Sequence, residues 1–189
     1  THFASQIAEA LRIYKPRVPV VYNCGGYESV ETLRMLEGLV DIYLPDFKYA
    51  DDDLAVRLSN APHYCETALA AIHEMVRQTG ENVYDKNGML QKGIIIRQLI
   101  LPGHTRNSMQ ALELIKQHFS GVPVSLMSQY TPLESLDAVK YPELNRKVPE
   151  YAYEKLVDYA ISLGVMQAFI QEGDTAKESF IPPFTLEGV

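Results

Sequence analysis

Charged and polar side chains directly follow or interrupt the apolar runs of this sequence, at positions suited to binding a ligand. Asp46 and Lys48 stand two residues apart after the run 40–44, so their side chains lie on one face of an extended segment. Arg97 interrupts another apolar run, where a guanidinium must find an anionic partner or a polar cavity. The other residues that follow such runs are Asn23-Cys24-Gly25-Gly26-Tyr27, Pro102-Gly103-His104, Ser128-Gln129-Tyr130-Thr131-Pro132 and Gln171-Glu172-Gly173.

These candidates also have ordinary structural interpretations. Asp46 and Lys48 could form a surface ion pair of little energetic value. The paired glycines could only supply turn dihedrals. Tyr130 could simply pack, although its hydroxyl would need a partner if buried. The three histidines 63, 73 and 118 fall in helical stretches, where we expect them at the surface or in packing contacts.

Strands and helices alternate along the chain. Apolar runs predict strands at 18–22, 40–44, 93–101, 122–127 and 165–170. A first helix is predicted ahead of them, where Phe3, Ile7, Leu11 and Tyr14 fall on one face of an amphipathic helix that Pro16 ends. Further helices are predicted between the strands, in two pieces over 51–80, and Asn87-Gly88 suits a hairpin turn. Parallel strands need crossover connections, so the pattern predicts an α/β fold: a curved parallel sheet of about five strands with outer helices, a partial TIM-like barrel. Because ligands bind at the carboxyl ends of such strands, the candidates should gather at one edge.

Composition narrows the function classes. The chain has 189 residues and a formal net charge of -7, which argues against binding nucleic acid through Lys and Arg. It has neither a membrane-spanning apolar run nor a signal sequence, so we expect a cytoplasmic protein with no membrane partner. We expect one domain over 1–189, in which 170–189 forms an extended tail. Two cysteines make neither a disulfide framework nor, alone, an iron-sulfur site.

Four segments in this order resemble the activating-enzyme branch of radical S-adenosylmethionine (SAM) proteins, specifically the pyruvate formate-lyase activating enzyme type. They are Asn-Cys-Gly-Gly-Tyr-Glu at 23–28, Ile-Tyr-Leu-Pro-Asp-Phe-Lys-Tyr at 42–49, Ile-Ile-Arg-Gln-Leu-Ile-Leu-Pro-Gly-His at 95–104 and Ser-Leu-Met-Ser-Gln-Tyr-Thr-Pro at 125–132. The segments 169–173 and 179–184 also fit that group. The resemblance covers nearly the whole chain.

The resemblance implies a partial barrel of six β/α units and a Cys-x3-Cys-x2-Cys loop that holds a [4Fe-4S] cluster. That cluster supplies the electron that cleaves SAM to a 5'-deoxyadenosyl radical, which abstracts hydrogen from a substrate. The sequence contains no such cysteine motif. We therefore expect the C-terminal part of such an enzyme, inactive alone, with SAM and the cluster bound only by the full-length parent. The substrate would be a glycyl-radical-type partner protein or a small molecule.

The resemblance also implies roles for individual residues. His2 matches the end of the family's second strand, where the amino group of SAM is held. Lys48 and Arg97 match positions that meet SAM or a charged substrate, and Tyr130 stands where these enzymes have a histidine near the substrate. A monovalent-cation site next to SAM matches Asn23, Cys24 and Asp46. Asn23-Cys24 replaces the family's Asp-Thr there, which lowers the negative charge of the site.

Two other functions fit the same residues. Lys48 at a strand end beside Asp46 could form a Schiff base in a lyase of aldolase type. Alternatively, the chain could be a non-catalytic binding or scaffold domain. Its edge strand at 18–22 would then pair with another chain, and dimers through that exposed edge are possible.

Overall fold

The computed structural model describes residues 3–132, 136–165 and 168–170. Within these ranges helices and strands alternate, as the apolar pattern predicts. The helices are α1 (Ala4–Ile13), α2 (Val30–Met35), α3 (Asp52–Ser59), α4 (Tyr64–Thr79), α5 (Thr105–His118) and α6 (Glu150–Ser162), with a 3-10 turn at Pro142–Leu144. The strands are β1 (Val21–Cys24), β2 (Ile42–Pro45), β3 (Val83–Tyr84), β4 (Leu90–Ile94), β5 (Ile96–Leu99), β6 (Val124–Met127) and β7 (Ala168–Ile170).

The strands form a mostly parallel arrangement in two sets. In the first set β2 pairs in parallel with β1 and with β4, and in the second β6 pairs in parallel with β5 and with β7. The sets are joined along β2, because the Phe47 amide donates to the Arg97 carbonyl at 2.8 Å and the Ile95 amide to the Tyr43 carbonyl at 3.1 Å. The predicted α/β class with a parallel sheet is therefore confirmed. The strands of the described ranges do not close into a barrel.

Several predicted boundaries move in the structure. The predicted strand 18–22 is observed as β1, which begins at Val21, because Pro19 has no amide hydrogen to donate to a neighbouring strand. The long run 93–101 forms two strands, β4 and β5, with Ile95 between them. The predicted hairpin at Asn87-Gly88 is confirmed, since β3 lies antiparallel to β4. The predicted tail beyond Ile170 lies outside the described residues.

One face of the sheet packs on helices and the other carries charged side chains. Tyr43 and Phe47 are fully buried on the helix side, where the Tyr43 hydroxyl donates to Gln78 of α4 at 2.6 Å. Helix α4 also packs on β4, and α5 packs on β5. Because side chains alternate along a strand, Asp46 lies on the opposite face from its neighbour Phe47. The charged residues are thus held by a rigid, apolar support beneath them.

The apolar face predicted for the first helix is largely exposed. The buried residues of α1 are Ala4 and Ala8, whereas Phe3 and Tyr14 are 65% and 71% exposed. The small alanines let α1 approach its neighbour closely, so the larger side chains are left outside. None of the helices in the described part of the chain combines the length and apolar character needed to cross a bilayer.

Candidate functional site

Three of the predicted site residues meet in one cluster, which we call the Asp46 cluster: Asp46, Lys48 and Arg97. Arg97 holds the carboxylate oxygen Oδ1 of Asp46 with its Nε at 2.7 Å and its terminal nitrogen at 2.5 Å. The Lys48 Nζ lies 3.1 Å from the other oxygen, Oδ2. Both oxygens of one carboxylate are therefore engaged by cations that are far apart in sequence, one in β5 and one just after β2.

Charge is unbalanced in the Asp46 cluster. It contains two cations and one carboxylate, so its own formal charge is +1. Asp46 is only 6% exposed, whereas the side chains of Arg97 and Lys48 are 23% and 29% exposed. The Asp46 carboxylate is thus buried and paired within the protein, whereas the side chains of Arg97 and Lys48 are partly exposed to solvent. Such an arrangement suits a carboxylate or phosphate group, because charge-assisted hydrogen bonds to a fixed guanidinium are strong.

Backbone contacts between neighbouring strand ends set the position of Asp46. Its amide donates to the Cys24 carbonyl at 3.0 Å, and it forms a parallel bridge with Arg97. Gly26 lies so close that a Cβ atom there would stand 1.9 Å from the Asp46 carbonyl oxygen, and its φ of +80° is one that glycine tolerates best. The paired glycines therefore do more than supply a turn, since Gly26 lets the loop after β1 press against the end of β2.

Two helix side chains hold the segment that carries Asp46 and Lys48. The Tyr64 hydroxyl accepts from the Lys48 amide at 2.9 Å and donates to the Asp46 carbonyl at 3.3 Å. Asn107 donates from its Nδ2 to the Lys48 carbonyl at 2.8 Å and accepts on its Oδ1 from the Ala50 amide at 2.9 Å. Beyond the end of β2, these side chains bind backbone groups that a neighbouring strand would otherwise pair with. They keep the segment extended, so Asp46 and Lys48 stay on one face.

Sequence reasoning did not single out Tyr64 or Asn107. Tyr64 begins α4 and Asn107 lies in the first turn of α5, and both are buried. The one available signal was that Asn107 falls at helical spacing from Ala111 and Ile115, on an apolar face where an amide would require hydrogen-bond partners. The partners themselves are backbone atoms, which no sequence pattern identifies.

The geometry does not favour the monovalent-cation site expected at Asn23, Cys24 and Asp46. Both Asp46 oxygens already bind cationic side chains. Asn23 and Cys24 are adjacent in β1, so their side chains point to opposite faces. Burial raises the pKa of Cys24 to about 12, with smaller effects from the Glu28 and Asp46 carboxylates. The Cys24 thiol is therefore neutral at physiological pH and a poor ligand.

Tyr130 is held by the loop that follows its own strand. Its hydroxyl donates to the Leu144 carbonyl at 2.8 Å. Burial raises the pKa of Tyr130, and the charge of Glu143 acts in the same direction. The structure therefore brings Asp46, Lys48 and Arg97 into direct contact and ties Tyr130 to a neighbouring loop. His2 lies outside the described residues.

A second polar cluster fastens that loop to its surroundings. Glu143 pairs with Arg57 of α3 at 2.5 Å, and its Oε1 lies 3.4 Å from the Nε2 of His104, which follows β5. The Tyr141 hydroxyl donates to the Arg57 carbonyl at 3.1 Å. His104 was a strand-end candidate, but the sequence gave no signal for Glu143, which lies between β6 and α6. These contacts fix the β6–α6 connection over the carboxyl edge of the sheet.

Within the described residues, no three His, Cys, Asp or Glu side chains come together in a way that could hold a metal ion. Cys24 and Cys65 are both half-buried free thiols. These residues do not fit an iron-sulfur cluster, which needs three or four thiolates close together. The Asp46 cluster does fit the carboxylate of a ligand such as SAM.

Comparison with known proteins gives a distant relative. No protein-family model matches the chain. Over 157 residues, 82% of its length, the chain is 29% identical to an uncharacterized protein of the archaeon Methanocaldococcus jannaschii. The match covers 41% of that protein, so the chain spans about two fifths of the length of the curated relative it matches. The class that fold and site together define is a mixed α/β protein with a mostly parallel sheet and a cationic cluster at a strand end.

Proposed function

We propose that the chain is the C-terminal part of a radical SAM enzyme of the pyruvate formate-lyase activating type, built as an incomplete barrel of parallel strands. The observation that carries this proposal is the Asp46 cluster, in which Arg97 and Lys48 flank one buried carboxylate and keep a positive charge at the surface. SAM presents a carboxylate that such a pair can bind. The four ordered segments that resemble this family support the same function.

In this proposal the residues of the chain bind and orient, and the bound cofactors supply the difficult chemistry. Arg97 is fixed by two hydrogen bonds to Asp46, so its remaining donors are oriented before a ligand arrives. Lys48 contributes a second, more exposed charge. One electron from a [4Fe-4S] cluster in the parent protein would cleave SAM to methionine and a 5'-deoxyadenosyl radical, which takes a hydrogen atom from the substrate.

The cysteines for that cluster would lie in a part of the parent outside these 189 residues. The M. jannaschii relative is long enough for such a part, because the matched 157 residues are 41% of it. The substrate would be a glycine of a partner protein or a small molecule. Three closely spaced cysteines in the complete reading frame are therefore the first requirement of the proposal.

The decisive experiment uses the complete protein encoded by that reading frame. It is reconstituted anaerobically with iron and sulfide, given SAM and dithionite, and assayed for 5'-deoxyadenosine. We expect turnover in the parent protein and weaker SAM binding in the Arg97→Met variant, with Lys92→Met as a matched control on an exposed surface position of β4. A well-formed cluster that yields no 5'-deoxyadenosine would count decisively against the proposal.

The geometry weakens the Schiff-base alternative. Lys48 is ion-paired with Asp46 at 3.1 Å, so its amine would have to leave that carboxylate before it could attack a carbonyl. Borohydride reduction in the presence of a carbonyl substrate tests this directly, because a Schiff-base lyase would be labelled at Lys48. We expect no labelling.

One feature favours a role in association. Strand β1 is at the edge of its sheet in the described ranges; Val21 within it is 49% exposed and Val18 just before it is 70% exposed. Exposed edge strands pair readily with other chains. Light scattering of this chain and of the complete protein separates the possibilities. A dimer in both would support a scaffold function, and a dimer of the 189 residues alone would attribute it to the truncated form.

A further inference from the structure

Two histidines from different helices lie side by side on the surface. His73 is in the middle of α4, and His118 is the last residue of α5. Both side chains are exposed, and their ring centroids are 5.9 Å apart. Helix α5 starts after the carboxyl end of β5 and runs back for 14 residues, so His118 lies about 20 Å along the helix from its first turn. This pair is therefore remote from the Asp46 cluster.

The spacing of the two rings suits a shared metal ion. An imidazole nitrogen binds Zn²⁺ at about 2.0–2.1 Å, which places the ring centroid roughly 3.2 Å from the ion. Two rings on one ion can then be at most about 6.4 Å apart, and roughly 5.2 Å at a tetrahedral angle. The observed 5.9 Å falls between these values. The rings meet edge to face, with an interplanar angle of 78°, so at least one ring must rotate about its side-chain torsions to direct its nitrogen at a common point.

The surroundings of the pair also favour a cation. Phe119 packs on the His73 ring at a centroid distance of 4.6 Å, which restricts the ring before any ion binds. His118 lies at the carboxyl end of α5, where the final carbonyl groups carry a partial negative charge. Arg77, one turn beyond His73, is already neutralised by Glu74 at 2.7 Å and Glu37 at 2.9 Å. Its charge is therefore a weak obstacle to a metal ion.

We propose that His73 and His118 bind a first-row transition-metal dication such as Zn²⁺, with water completing the coordination. Neutral imidazole is a common ligand for zinc, copper and nickel. The bound ion would act as a clamp that ties α4 to the end of α5. This site is independent of the proposed radical SAM function, because none of its residues belongs to the Asp46 cluster.

The test is calorimetric titration of the 189-residue chain with Zn²⁺, compared among single variants. His73→Ala and His118→Ala each remove one ligand from an exposed helix position, where alanine preserves helicity. Each should weaken zinc binding by at least about tenfold. The matched control is His63→Asn, because His63 is an exposed histidine with φ of +54° and asparagine tolerates that conformation. The control should bind zinc as the unmodified chain does.

A second measurement reports the clamp itself. At a free zinc concentration one hundred times the dissociation constant, binding should favour the folded state about 100-fold and raise the thermal midpoint. Both alanine variants should lose this rise. Two results would overturn the assignment: no zinc binding up to about 1 mM, or equal zinc affinity in the unmodified chain and both alanine variants. The second result would show that the ion binds other ligands.

Discussion

Replacing Arg97 by methionine tests whether the Asp46 cluster is a coupled unit. The change removes two charge-assisted hydrogen bonds, at 2.7 and 2.5 Å, from a carboxylate that is 6% exposed. Breaking a fully buried pair costs about 3–5 kcal/mol, because the remaining charge is left without compensation. Arg97 is partly exposed and Lys48 still pairs with Asp46, so solvent and the second cation reduce this cost. We expect a loss of about 2 kcal/mol in the free energy of unfolding.

Lys48→Met is the matched comparison, since it removes the other cation from the same carboxylate. Its single contact is longer, at 3.1 Å, and its side chain is 29% exposed. Partly exposed pairs of this kind contribute about 0.5 kcal/mol. Methionine preserves the apolar stem at both positions, so lost packing contributes little to either value.

Urea denaturation followed by circular dichroism measures both variants. With a denaturant slope of about 2 kcal/mol/M, Arg97→Met should lower the midpoint by roughly 1 M and Lys48→Met by roughly 0.25 M. Adding Asp46→Asn to Arg97→Met should recover part of the loss, because it removes the buried carboxylate that has lost its arginine partner. Equal losses in the two single variants would refute this reasoning, as would no recovery in the double variant.

Three further predictions concern other parts of the described structure. Gly26→Ala should lower the free energy of unfolding by at least about 2 kcal/mol in urea denaturation, because the new Cβ would collide with the Asp46 carbonyl. Gly25→Ala is the control and should cost under about 1 kcal/mol, since no atom lies within 4 Å of a Cβ at that position. Hydrogen bonds from Arg77 lower the pKa of Glu74 to about 2 from its ordinary 4.5, so Glu74 stabilises the fold fully above about pH 4.5 and loses this effect as the pH falls toward 2. In an acid titration, the free energy of unfolding should therefore decline less steeply in Glu74→Gln than in the unmodified chain. Burial raises the pKa of both thiols to about 12, so iodoacetamide at pH 8 should label the folded chain at least about 100-fold more slowly than the urea-unfolded chain.

The α/β class could be predicted because strand-like apolar runs alternate with helical segments, and these apolar residues must be buried in the folded protein. The fully buried residues Tyr43, Ile94 and Ile96 all fall in runs that were predicted to be strands. Strand ends were harder to predict, since they depend on which amides find partners. Strand β1 begins only after Pro19, which has no amide hydrogen to donate. The predicted run 93–101 is divided at Ile95, whose amide donates to the Tyr43 carbonyl of β2 between β4 and β5.

Residues of the candidate site could be predicted only where the type of one side chain requires a particular partner. Arg97 was a strong candidate because a guanidinium in an apolar run must meet an anion, and the structure supplies Asp46. The roles of Tyr64 and Asn107 could not be predicted, because their partners are backbone atoms brought near by tertiary packing. Helix α1 forms as predicted, but its apolar face is left uncovered for a related reason. A periodic apolar face does not reveal whether a neighbour exists to cover it, and here Ala4 and Ala8 make the contact.

The charge of the Asp46 cluster decides which kinds of ligand are favoured at this edge of the sheet. A metal ion would need free carboxylate oxygens, but Arg97 and Lys48 already occupy both oxygens of Asp46. A carbonyl substrate would need a free amine, but the Lys48 Nζ is already ion-paired with Asp46. An anion needs neither, because it can use the outward donors of the two cations while Asp46 holds them in place. The geometry therefore favours an anionic ligand group over a metal ion or a Schiff base, and the SAM proposal requires such a group.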